Sequence, residues 1–170
     1  MRFRLEQTVQ ADPDAAVAAF ATPAFYAALG ELRAISPPRV VSCDRDDVRQ
    51  LAHIAVAYAF AGDLSPAVRA VVDPAKLTWV DHSEVDLTAR TVRFEMVPDH
   101  YQSRFRCEGR YRFVGAGPGR CTQEMSGELS VRYPLVGPVV ERAILSGLRE
   151  QLVAEAAILA RWATRGPGAE

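Results

Sequence analysis

The stretch from Pro134 to Thr164 constrains the fold more than any other part of the sequence. It predicts one helix of about eight turns over residues 134–164. The helix has a Pro-x-x-Gly-Pro start in which Pro138 suits the first turn, and the Gly-Pro-Gly run at residues 166–168 ends it. At about 100° per residue, its apolar side chains share one broad face. They are Val140, Ile144, Leu148, Leu152, Leu159 and Trp162, with Gly147 and Ile158 at the edge.

Two polar residues, Gln151 and Glu155, interrupt this apolar face. A carboxylate that is buried without a partner costs free energy, and its pKa rises towards the neutral form. Two interpretations of Glu155 therefore stay open. It reaches solvent at the rim of the helix, or it is a polar anchor inside a pocket beneath the helix.

The rest of the chain predicts strands, with two short helices after the first one. Residues 2–10 alternate as a half-buried strand does, and Asp12-Pro13 and Thr22-Pro23 are helix starts, with Asp12 as a capping residue. Further strands are predicted at residues 39–44, 48–60, 77–85, 91–97, 104–113 and 121–132. This order predicts an α+β helix-grip fold, in which a curved antiparallel sheet of about seven strands wraps around the long C-terminal helix.

Length and composition favour one globular domain. The chain has 170 residues, of which 49% are hydrophobic and 24% charged. We expect a single domain over residues 1–165 and a short flexible tail at residues 166–170. The formal net charge of -1 gives no support for a nucleic-acid partner, which usually requires a basic surplus.

The cysteines and the hydropathy pattern indicate a cytoplasmic protein. Cys43, Cys107 and Cys121 are an odd number and form no C-x-x-C motif, which fits a reducing compartment. The first ten residues lack the apolar core of a signal peptide. No apolar run has the length of an integral membrane segment. A homodimer remains open.

No motif in the sequence specifies a reaction. His53, His82 and His100 are scattered, so we expect no metal site. Asp81 and His82 are neighbours on a strand and point to opposite faces, so they cannot act together on one substrate. The glycine-rich residues 115–119 lie between two strands and predict a hairpin loop, not a phosphate site. We assign no catalytic residue and no cofactor.

Three segments carry a resemblance to a known superfamily. They are the helix start YPLVGPVVERAI, the preceding strand ELSVRY, and the Gly-Asp-Leu-Ser-Pro segment before LTWV. With them the chain resembles the START-like superfamily, also called SRPBCC or Bet v 1-like, and most of all one of its uncharacterised bacterial families. The resemblance implies a cavity beneath the last helix for lipids, sterols, polyketides or other hydrophobic compounds. It does not imply a reaction, since only some members are enzymes.

The strand and helix faces predict which residues would line such a cavity. From the sheet they are Tyr58, Trp79, Phe94, Met96, Phe105, Tyr111, Gln123, Met125 and Leu129. From the helix they are Ile144, Leu148, Gln151, Leu152 and Glu155. A mostly apolar surface with a few polar groups is typical of small-molecule sites. A solid core would show the same residue pattern, so a hollow and a filled interior both remain open.

Three alternative functions are consistent with these sequence features. The first is a binding or carrier protein for a hydrophobic small molecule, such as a lipid or a polyketide-like compound. The second is a cyclase, dehydratase or hydrolase in which Glu155 is the acid or base. The third is a protein-interaction module with a filled core and an exposed apolar patch.

Overall fold

Seven strands and four α-helices follow one another in the predicted order within residues 1–32, 35–70 and 72–165, which the computed structural model describes. They are β1 (Arg2–Val9), α1 (Pro13–Phe20), α2 (Pro23–Ala28), β2 (Arg39–Asp46), β3 (Leu51–Ala59), α3 (Pro66–Arg69), β4 (Thr78–Asp86), β5 (Thr91–Pro98), β6 (Phe105–Gly115), β7 (Cys121–Val131) and α4 (Gly137–Arg165). The tail expected at residues 166–170 lies outside the described residues. Among the residues described, no helix has the length and apolar character needed to cross a membrane.

Proline, rather than a capping side chain, starts the two short helices. Helix α1 begins at Pro13 and α2 at Pro23, each after a residue in extended conformation. Asp12 is the N-cap residue of α1, as predicted. Within the described ranges, however, neither its side chain nor that of Thr22 makes a capping hydrogen bond. Instead, the Thr22 hydroxyl donates to the Ala18 carbonyl at 2.9 Å. Proline suffices because its φ is already helical and it has no N–H to satisfy.

The strands form one antiparallel sheet in the order β1-β7-β6-β5-β4-β3-β2. Strands β2 to β6 each pair with the next strand in sequence, and β1 pairs with β7 at one edge. Side chains alternate between the two faces. One face buries residues such as Leu5, Val85 and Phe113, whereas exposed arginines lie on the other. This sheet and the long last helix confirm the predicted α+β helix-grip architecture.

A pair of facing glycines lets two aromatic rings lie against the sheet. Gly109 on β6 is directly opposite Gly127 on β7. A Cβ added to Gly109 would lie 2.4 Å from the Ser126 carbonyl oxygen and 2.8 Å from Phe94 Cζ. A Cβ on Gly127 would lie 2.8 Å from the ring of Phe3. These glycines therefore permit a close approach that any side chain would block.

Helix α4 begins at Gly137, three residues later than predicted from the sequence. Leu135 has a φ of 67°, so the segment just before Gly137 is a turn and not a helix. A Cβ at Gly137 would lie 2.5 Å from the Val131 carbonyl oxygen. Glu141 also accepts a hydrogen bond from the Val131 N–H at 2.9 Å. The start of α4 is thus held tightly against the end of β7.

Helix α4 lies along one side of the inner face of the sheet. It packs mainly against β1, β7, α1 and α2, whereas the inner faces of β3, β4 and β5 lie farther away. In its C-terminal half Ile158 and Leu159 are buried. In its N-terminal half Ile144 and Leu148 are only half-buried. The C-terminal half closes a dense core, and the N-terminal half covers a looser region.

Replacing Gly109 with alanine should destabilise the protein by about 2 to 3 kcal/mol, because the new methyl group overlaps the neighbouring backbone. Gly115→Ala on the same strand is the matched control, since a Cβ there meets nothing within 4 Å. Urea unfolding of both variants measures the difference. Equal stability of the two variants would contradict the close approach of Phe94 to the glycine pair.

Candidate ligand-binding site beneath the C-terminal helix

The strand register brings all nine sheet residues predicted for the site to the inner face. Tyr58 is opposite Trp79, and Tyr111 is opposite Met125. The rest follow from the same alternation along β5, β6 and β7. The five predicted helix residues lie on α4. The geometry thus brings the predicted set together between sheet and helix.

The fourteen predicted residues differ in how completely they are buried. Six are fully buried: Phe94, Gln123, Met125, Leu129, Leu152 and Glu155. Eight are half-buried: Tyr58, Trp79, Met96, Phe105, Tyr111, Ile144, Leu148 and Gln151. Five of the half-buried residues lie on strands β3 to β6, and the other three lie on α4. Inward side chains that keep accessible surface indicate space of at least the size of a water molecule beside them.

The polar centre of this region is a buried hydrogen bond between β7 and α4. Gln123 is 0% and Glu155 4% exposed. Gln123 Nε2 donates to Glu155 Oε1 at 2.9 Å. The other amide atom, Gln123 Oε1, is buried and has no hydrogen-bond partner among the described residues. Glu155 is therefore buried inside the protein, and the alternative that it reaches solvent at the helix rim was wrong.

Burial changes the protonation of Glu155. It raises the pKa of the carboxyl from 4.5 to about 7. The hydrogen bond from Gln123 acts in the opposite direction, and the negative charge of Asp81 raises this pKa further. Near neutral pH the group can therefore accept or release a proton, as an acid or base requires.

Asp81 is a second carboxyl on the inner face, and the sequence analysis did not include it in the site. It lies on β4 opposite Val56 and Met96. Burial raises its pKa to about 6, although it accepts a hydrogen bond from the Ser83 hydroxyl at 2.8 Å. The sequence could have placed Asp81 on the inner face. A spacing of two residues puts side chains on the same face of a strand, and this spacing relates Trp79, Asp81, Ser83 and Val85.

Aromatic rings surround these polar groups. Tyr58 and Trp79 are stacked, with ring centroids 5.6 Å apart and 16° between the planes. The Tyr111 ring lies 5.3 Å from that of Phe94. Burial raises the pKa of Tyr58 and of Tyr111 well above 10, so both hydroxyls stay protonated. They are polar groups that can donate hydrogen bonds within an otherwise apolar surface.

Two other groups in this interior have ordinary structural roles. The Tyr26 hydroxyl donates to the Phe20 carbonyl at 3.0 Å. Burial raises the pKa of the Cys107 thiol to about 12, so it stays protonated and behaves as a small apolar side chain.

The matches with solved structures define the class of fold, which is START-like. A START superfamily protein from Mycobacterium smegmatis matches with a TM-score of 0.56 and 15% identity, over 96% of this chain and 97% of that chain. The chain belongs to the family described as "Protein of unknown function (DUF2505)", which matches residues 4–163. No curated protein matches this chain.

Two further solved structures have the same fold. A protein from Thermus thermophilus matches with a TM-score of 0.67 and 14% identity, over 99% of this chain and 100% of that chain. The Zhui aromatase/cyclase from a Streptomyces species matches with a TM-score of 0.64 and 14% identity, over 97% of this chain and 94% of that chain. At these identities the similarity defines the fold alone.

Replacing Glu155 with glutamine should stabilise the protein at alkaline pH by up to about 3 kcal/mol. The folded state binds the Glu155 proton more tightly than the unfolded chain does. Stability from this group is therefore fully present below pH 4.5 and is lost as the pH rises through about 7. Asp81 changes stability in the same direction at lower pH.

Urea unfolding at about pH 5 and about pH 8 tests this expectation. The gain for Glu155→Gln should be larger at the higher pH. Glu150→Gln is the matched control, because Glu150 is exposed on the same helix. A Glu155→Gln effect that does not change with pH would show that Glu155 titrates like an exposed carboxyl.

Proposed function

We propose that this protein binds a hydrophobic small molecule, lipid or polyketide-like, between the inner face of the sheet and the N-terminal half of α4. One observation carries the proposal. Side chains that point inward from β3, β4, β5 and β6 keep accessible surface, although they belong to the interior face. A filled core, as a protein-interaction module would have, favours complete burial of such residues.

The composition of this region suits an apolar ligand with a polar end. Burying ligand carbon there contributes about 25 cal/mol per Å² of apolar surface. Trp79, Met96, Phe105 and Leu148 supply apolar contacts. Glu155, held by Gln123 at 2.9 Å, supplies a fixed polar contact that orients the ligand. This distribution of many apolar and few polar groups is typical of binding pockets.

Comparison of native with denaturing mass spectrometry on the freshly purified protein tests the proposal directly. A bound ligand adds mass that disappears on denaturation, and extraction then identifies its chemical class. An unliganded protein should instead bind a neutral apolar dye such as Nile red, with saturation at one dye per chain. If neither a co-purified ligand nor saturable dye binding is found, the proposed function is wrong.

Replacing Leu148 with tryptophan should weaken dye or ligand binding by about tenfold or more, a loss of about 1.4 kcal/mol. Leu148 is half-buried on α4, so a larger ring there fills space that a ligand would occupy. Ser146→Trp is the matched control, since Ser146 is exposed on the same helix. Thermal unfolding without ligand verifies that both variants fold. Equal binding by the two variants would place the ligand elsewhere.

An acid–base enzyme is the second candidate, and the environment of Glu155 favours it. The carboxyl is buried beside Gln123 and has a pKa of about 7, which suits proton transfer at neutral pH. One structural neighbour is an aromatase/cyclase by name. An enzyme of the cyclase, dehydratase or hydrolase type would use the same interior.

Comparing what wild type and Glu155→Gln retain after purification separates the two candidates. An enzyme that needs Glu155 would hold unreacted substrate in the variant and product in the wild type, so the extracted masses differ. A dehydratase, for example, would give a difference of one water. A binding protein would retain the same molecule in both.

A further inference from the structure

We propose that the ligand carries a primary amine, and that Asp81 and Glu155 bind its ammonium group. This inference rests on the proposed function, because it names the polar end of the molecule that would occupy the same site. The ligand is then an amphipathic amine with an aromatic or aliphatic body. It is not a fatty acid or a neutral polyketide.

The charges on the inner surface favour a cation. Asp81 on β4 and Glu155 on α4 both belong to this interior, and the negative charge of Asp81 raises the pKa of Glu155. Within the described ranges, no arginine, lysine or histidine lowers the pKa of either carboxyl. A ligand cation would supply the missing positive charge, since paired buried charges are far less costly than unpaired ones. A ligand carboxylate would instead be repelled.

The hydrogen-bonding capacity fits an ammonium group as well. Gln123 uses its Nε2 to hold Glu155 Oε1 at 2.9 Å, which leaves Oε1 buried without a donor among the described residues. Because Gln123 has no accessible surface, the acceptors for a ligand are the two carboxylates. A primary ammonium has three N–H donors and no acceptor. A hydroxyl has only one donor to offer to the same two carboxylates.

The aromatic side chains add a third favourable contact. Tyr58 and Trp79 stack at 5.6 Å, and Tyr111 lies near Phe94 on the same inner face. The face of an aromatic ring attracts a cation, most strongly when water is excluded. The half-buried Met96 and Phe105 remain for the apolar body of the ligand.

A matched pair of probes tests the inference: 2-(2-naphthyl)ethylamine and 2-(2-naphthyl)ethanol. They share one apolar body and differ in the terminal group. By calorimetry at about pH 8, the amine should bind at least about tenfold more tightly than the alcohol. At about pH 5 both carboxyls hold protons and this preference should disappear.

The pH dependence can be assigned to the two carboxyls. Burial raises the pKa of Tyr26 from α2, Tyr58 from β3 and Tyr111 from β6 well above 10. The Cys107 thiol, with a pKa of about 12, also stays neutral over this range. A preference for the amine that grows as the pH falls would overturn the proposal.

The variant Asp81→Asn should lose most of the preference for the amine, about fivefold or more, and bind the alcohol as the wild type does. Glu84→Gln, on the opposite face of β4, is the matched control and should keep the full preference. Thermal unfolding without ligand verifies the fold, and Glu155→Gln is the second test if Asp81→Asn does not fold.

The outcomes distinguish failure of the amine ligand from failure of the proposed binding function. The inference that the ligand is an amine is wrong if the alcohol binds as tightly as the amine at the higher pH, or if Asp81→Asn keeps the preference. Neither result contradicts the proposed binding site. If Nile red binds and neither naphthyl probe does, the inference that the ligand is an amine is likewise wrong. If no probe and no dye binds, both this inference and the proposed function fail.

Discussion

The position of α4 along one side of the sheet is the constraint on which the interior depends. At its start, Gly137 and Glu141 fix the helix to the end of β7. Towards its end, the Trp162 ring packs edge-on against Phe25 of α2 at 5.9 Å. Held at both ends, the helix lies mainly along β1 and β7 of the sheet. The looser region beneath its N-terminal half follows from these two attachments.

Much of this fold could be predicted because its patterns are local. Alternation identifies β6 and β7, and a repeat of ~3.6 residues identifies α4 and its apolar face. The start of α4 was placed too early, because the φ of 67° at Leu135 is set by the turn against β7 and not by local sequence. Asp12 is the predicted N-cap of α1, but the local sequence did not reveal that its side chain makes no capping hydrogen bond.

The face on which each candidate residue lies was predictable from the sequence, whereas the chemistry of these residues was less so. Alternation decides which face a residue is on, so all nine sheet residues lie where expected. It does not give the distance to the opposite wall, so it cannot distinguish a hollow interior from a filled one. The partner of Glu155 is Gln123, on another element, and only the packing of α4 on β7 pairs them. Asp81 was overlooked because it was compared with His82 and not with Trp79, two residues before it.

The buried carboxyls have no evident structural purpose. Apolar residues of similar size usually serve stability as well or better than buried charged groups. Groups with strongly raised pKa values in an interior are enriched at functional sites. Glu155 and Asp81 are also on separate elements, so the sheet and the helix must both be in place before the two interact. Their chemistry therefore belongs to the assembled interior and not to any single segment.

The pairing of β1 with β7 also has a consequence for how the chain folds. Arg2 lies opposite Glu128, so the first strand completes its hydrogen bonds only when the last strand is available. Contacts between such distant residues require closure of a long loop, and folds rich in them form slowly. During synthesis, Phe3 and Leu5 must wait for β7 and α4 before they are buried. The interior is thus the last part of the molecule to close. Until then the apolar strands of the nascent chain remain exposed to solvent.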